Sequence, residues 1–148
     1  MDKAEQLKQV ELFSQLDEKY LEVLAPSCHE KSFASGERLV EQGEEGIGLM
    51  IITSGKVRVV KKTAAGDEIE VATHGAGEFI GEMTVLDGAV RSASVVAVDD
   101  TQCLILSSWA FKGAMAGNPE IALGVLPVIV KRFRETNDKL LELQGAQS

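Results

Sequence analysis

Between Phe33 and Leu106, short runs of valine, isoleucine and leucine are interrupted by glycine ten times, at positions 36, 43, 46, 48, 55, 66, 75, 77, 81 and 88. Glycine disfavours helix and suits turns that need positive φ, so this texture rules out a helical core and predicts short strands joined by tight turns. The strands fall at 31–33, 38–41, 49–53, 56–61, 68–73, 93–98 and 102–106. Ser54-Gly55 and Ala65-Gly66-Asp67 supply turns between them.

The flanks read differently. Leu7, Val10 and Phe13, then Leu16, Tyr20, Leu21 and Leu24, recur at helical spacing and predict two short helices ending before Pro26. After Ser107 a short helix is expected at 109–115, ended by Gly117. Asn118-Pro119 then reads as the N-cap and first residue of a long helix reaching about Leu143, with a frayed tail from Gly145. The whole is one domain, residues 1–148, with helices at 1–26, a β-roll at 27–107 and helices at 108–143. The fold class is mainly β, a double-stranded β-helix of jelly-roll type flanked by helices.

Charge limits the partners. Fifteen Lys and Arg against 23 Asp and Glu leave a net −8, so nucleic acid and anionic membrane suit the surface poorly, and an anionic ligand needs a local positive pocket. Cys28 and Cys103 lack metal-ligand spacing, and no segment reads as a signal peptide or membrane span; a reducing cytoplasm is the expected compartment. Two histidines, His29 and His74, support neither a metal site nor a hydrolytic triad, so no metal and no catalysis are expected. Trp109 is expected to anchor the core or a hinge.

Chemistry concentrates in Phe79-Ile80-Gly81-Glu82-Met83-Thr84-Val85-Leu86 and, nine residues beyond Glu82, Arg91-Ser92-Ala93. Gly81 lets backbone approach a ligand, and residues 82–86 suit one helical turn whose free N–H groups face an anion. Arg91 adds a planar guanidinium fork and Ser92 a hydroxyl. A carboxylate beside a phosphate is repulsive, so Glu82 is best used as an acceptor for a sugar hydroxyl one step away. Each fragment also has a purely structural alternative, Glu82 as a helix N-terminal charge and Arg91 as a surface partner of Asp87 or Glu82. The combination implies a ribose joined to a phosphate.

These residues resemble the cyclic-nucleotide-binding domain family, that of the bacterial catabolite activator protein and the kinase regulatory subunits. The likeness extends to Phe33-Ala34-Ser35-Gly36-Glu37, Glu41-Gln42-Gly43-Glu44 and the run from Leu49 to Val59. It implies that Gly81 and Glu82 meet the ribose 2′-hydroxyl, and that Arg91, Ser92 and neighbouring backbone, with Met83 and Ala93 in the same cassette, hold the cyclic phosphate. Thr84 and Val85 depart from the small residue and leucine common there, which leaves the charged pair intact but alters pocket shape. The polar pair Thr136-Asn137 resembles the pair with which the family's long helix reaches adenine. Cyclic AMP is the expected ligand, with cyclic GMP the second candidate and no cofactor.

On the long helix, Ala122, Leu126, Ile129, Phe133, Thr136, Leu140 and Leu143 are spaced 4, 3, 4, 3, 4 and 3, the rhythm of a coiled-coil seam, and predict a homodimer. Packing on the chain's own β core is the alternative for its first half, up to Val130. Pro127, helped by Gly124, is expected to kink the helix into a hinge. The function that follows is a regulatory sensor domain signalling through this helix; the rival is a degenerate member of the fold serving only as a dimerisation or docking module.

Overall fold

The computed structural model describes residues 2–44, 48–88 and 90–147, and all their side chains except those of Met83, Thr84, Ala146 and Gln147. Gly46, Ala89 and Ser148 lie outside the described residues. The chain opens with α1 (Lys3–Lys8), a 3₁₀ turn (Glu11–Phe13), α2 (Glu18–Leu24) and a second 3₁₀ turn (Ala25–Ser27). Strands β1 (Cys28–Phe33), β2 (Arg38–Val40), β3 (Gly48–Ser54), β4 (Lys56–Lys62), β5 (Glu68–Gly75) and β6 (Phe79–Ile80) follow. Helix α3 (Glu82–Asp87) precedes β7 (Ser94–Ala97) and β8 (Thr101–Ser107), and α4 (Ser108–Gly117) and α5 (Pro119–Gln147) complete the order.

Two antiparallel four-stranded sheets result, ordered β1-β8-β3-β6 and β2-β7-β4-β5. The central strands of the first, β8 and β3, are covered on both faces, which explains why they are apolar almost throughout rather than alternating. Met50 and Ile52 of β3, with Cys103 and Ile105 of β8, face the second sheet and pack with Phe33, Val57 and Val95. Their neighbours Leu49, Ile51, Leu104 and Leu106 face the helices, where they meet Leu7, Phe13, Phe111, Ile121 and Val125. The pleat, with its period of two, thus feeds two cores from one strand.

Helix ends account for several details. Asp2 caps α1 by accepting from the Glu5 N–H at 2.8 Å, and Ser107 caps α4 through the Ala110 N–H at 3.2 Å. Asn118 stands at the N-cap position of α5 as expected, its carbonyl accepting from the Ile121 N–H at 2.9 Å, while its side-chain amide turns back to the Ala114 carbonyl at 3.4 Å and so also closes α4. Helix α5 passes through Pro127 and Gly145 without a break and ends four residues later than expected. Its glycine has a packing reason: a Cβ at Gly124 would lie 2.5 Å from Leu16 Cδ2, so the missing side chain lets α5 approach the N-terminal layer. Trp109 is no core anchor; it is 86% exposed. Among the described residues no single helix is long and apolar enough to cross a membrane.

The exposed side of α5 carries Leu126, Phe133, Leu140 and Leu143, four of the seven seam residues, while Ile121, Val125 and Val128 form the buried side. An i, i+4, i+7 register therefore serves the chain's own core, and the seam is left facing outward.

Candidate functional site

A cleft lies where β6 of the first sheet meets the second sheet, with Arg132 of α5 on its rim. Its apolar wall is Val40, Val59, Ile80 and Val95, one residue from each of β2, β4, β6 and β7. Short strand β6 was not foreseen as a separate element; its two buried residues deliver Gly81 to the rim. There Gly81 adopts φ +91°, and a Cβ would run into the Arg91 guanidinium, so only glycine lets backbone and cation lie this close. Val85, fully buried, pins α3 to the helical-side core.

Arg91 is fixed from several directions. Its N–H donates to the Glu44 carbonyl at 2.9 Å, its carbonyl accepts from the Gly43 N–H at 2.8 Å, and its Nη2 donates to the Gly48 carbonyl at 2.5 Å. It is 5% exposed, so it is no surface group, though the Glu82 carboxylate still acts on its charge. Burial draws the guanidinium below its ordinary value, opposed by the Glu82 carboxylate. An arginine stays charged under that pressure, so the wall holds a desolvated cation. Ser92 and Ala93 follow it along the cleft.

Glu82 sits at the first position of α3 and is engaged by a residue that sequence reasoning missed. Arg132 of α5 donates from Nη1 to Glu82 Oε1 at 2.8 Å and from Nη2 to the Phe79 carbonyl at 3.5 Å. Its guanidinium carbon stands 4.1 Å over the Phe79 ring. This cluster ties α5 to the cleft rim. A second missed pair, His74 and Glu78, lies at the β5 end, with Nδ1 3.3 Å from Glu78 Oε1.

The structure thus brings Gly81, Glu82, Arg91, Ser92 and Ala93 together around one cleft. The backbone of Met83 belongs to α3, but its side chain lies outside the described residues. Thr136 and Asn137 are not among the cleft-lining residues. They lie exposed one turn beyond Arg132, and the Thr136 hydroxyl donates to the Arg132 carbonyl of its own helix at 3.0 Å. Chemically, a buried cation, an acidic acceptor and an apolar wall suit a flat, singly anionic ligand bearing hydroxyls.

Comparison with known proteins agrees with that chemistry. The signature of the family described as "Cyclic nucleotide-binding domain" matches residues 30–118. The Cyclic AMP receptor protein of Thermus thermophilus is 35% identical over 108 residues, 73% of this chain and 50% of that protein. The CRP-like cAMP-activated global transcriptional regulator of Mycobacterium tuberculosis is 27% identical, covering 89% of this chain and 59% of the relative. The crystal structure of the Thermus thermophilus catabolite activator protein superposes with a TM-score of 0.79 at 31% identity, over 90% of this chain and 63% of that one. The chain spans between half and three fifths of the length of these two curated relatives.

Proposed function

This chain belongs to the cyclic nucleotide-binding domain family, and from that premise we propose that it binds cyclic AMP in the cleft between its sheets and reports occupancy through α5. The observation that carries the reading is the buried Arg91 guanidinium set against Gly81, with Glu82 on the same cleft. In this reading Arg91 and the backbone of Ser92 and Ala93 hold the cyclic phosphate, while Gly81 and Glu82 meet the ribose 2′-hydroxyl. It makes no use of Thr136 or Asn137. The two CRP-like relatives carry cyclic AMP in their names and support that nucleotide, while a cGMP-dependent protein kinase also matches, so titration decides between them.

The transmission step follows from Arg132. A ribose hydroxyl arriving at Glu82 competes with Arg132 for the same carboxylate, so occupancy alters what α5 is tied to. Calorimetric titration with cyclic AMP, cyclic GMP and linear AMP tests the whole reading: cyclic AMP binds, and linear AMP, whose phosphate carries a second charge, binds far more weakly. A chain that takes up no cyclic nucleotide leaves only the docking-module reading.

The output surface in this reading is the exposed side of α5, where a second copy covers Leu126, Phe133, Leu140 and Leu143. A chain ending after Val130 retains Ile121, Val125 and Val128, and so its own core, but loses most of the seam. Light scattering is expected to find the full chain dimeric and the shortened chain monomeric. Equal dimerisation by both removes the seam from the interface.

A further inference from the structure

His74 lines the cleft, yet neither the phosphate nor the ribose contacts proposed above use it. Its position is set by topology. The segment Arg91-Ser92-Ala93 leads straight into β7, and His74 lies on β5, two strands away in the order β2-β7-β4-β5. At about 4.8 Å per strand that is a span of about 10 Å. A nucleotide whose phosphate meets Arg91 therefore extends its base across Val59 toward His74. His74 pairs with Val57, which is fully buried, so its side of β5 faces inward.

The ring is oriented by Glu78. One carboxylate oxygen accepts from the Gly75 N–H at 2.5 Å, and the other faces His74 Nδ1 at 3.3 Å. Burial pushes the Glu78 carboxyl up, but the Gly75 N–H, His74 and the Arg132 guanidinium outweigh it and hold it below the usual carboxylate range. An ionised carboxylate only accepts, so a neutral His74 keeps its proton on Nδ1 and presents Nε2 as a lone pair. Arg132, the other polar group near this end, is held by the Phe79 carbonyl and over the Phe79 ring as well as by Glu82, and the first two contacts do not depend on the carboxylate for which the ribose competes.

Resting on the cyclic-nucleotide reading, we propose that His74 selects the purine: Nε2 accepts a hydrogen bond from the 6-amino group of adenine and has nothing to offer the 6-carbonyl of guanine. Glu78 is the positioning residue that sets the tautomer. The ligand class is thereby narrowed to a cyclic 6-aminopurine nucleotide.

Titrations at pH 8, where an ordinary imidazole is neutral, decide this. The wild-type chain is expected to prefer cyclic AMP over cyclic GMP by about tenfold, the scale of one neutral hydrogen bond. His74→Leu brings the ratio close to one, mainly by weakening cyclic AMP. The cyclic monophosphate of unsubstituted purine riboside binds wild type and His74→Leu alike. Glu78→Gln, whose amide can donate to Nδ1, moves the proton to Nε2 and shifts the ratio toward cyclic GMP, an effect that lost packing would not produce. An unchanged ratio in both variants, or a wild-type preference for cyclic GMP, overturns the role of His74 while the cleft assignment stands. Failure of the wild-type chain to bind any cyclic nucleotide overturns both.

Discussion

Arg91→Ala is expected to lose about 2 to 5 kcal/mol of cyclic-nucleotide affinity, roughly 30-fold to several thousand-fold, because a phosphate would be left in the cleft without its cation. Arg91 is 5% exposed, so little water stands ready to replace it. The same side chain supplies a donor to the Gly48 carbonyl, and the variant should also melt at a lower temperature than wild type. Arg91→Lys separates the two effects: it restores a charge but not the planar fork, so stability recovers further than affinity. Calorimetry paired with thermal unfolding reads both. Wild-type affinity in Arg91→Ala would sink the site assignment.

The largest stability effect is expected at Phe13, which is fully buried and meets the Phe111 ring edge-on, with centroids 6.0 Å apart and planes at 84°. These two rings join the N-terminal turn to α4 beneath the helical face of β3 and β8. Phe13→Ala leaves a void between rigid layers and should cost about 3 to 5 kcal/mol, visible as a lower urea midpoint with little change in slope. A loss below ~1 kcal/mol would mean that the helical layer collapses to fill the gap, and with it that α5 is less firmly seated than its contacts indicate.

The β core was legible because two independent signals agreed there: glycine spacing marked the turns, and unbroken apolar runs such as 49–52 marked strands covered on both faces. The cassette was legible as chemistry, since an acidic and a basic residue flanking a glycine turn make sense around one ligand. What escaped were residues whose role depends on which side of an element faces in. Arg132 continues the buried register of Val125 and Val128, a charge in a core-facing position, but the apolar seam on the adjacent side dominates the sequence pattern. His74 alternates with Ala72 on the inward side of β5, yet exposed Ile69 and Val71 obscure that pattern, and the register shifts along this strand pair. At Gly124 the sequence shows lowered helix propensity but not the Leu16 side chain that occupies the space of a Cβ.

The seating of α5 has a mechanical consequence. Val128 is its last buried residue, and the helix runs on to Gln147, so about 28 Å of rod projects beyond its anchor at ~1.5 Å per residue. Arg132 lies one turn past that anchor, close to the fulcrum. A tilt of about 10° there, which shifts Arg132 by roughly 1 Å, carries the far tip through about 5 Å. In the proposed sensor reading the long helix acts as a lever with its short arm at the cleft, and its length sets the gain.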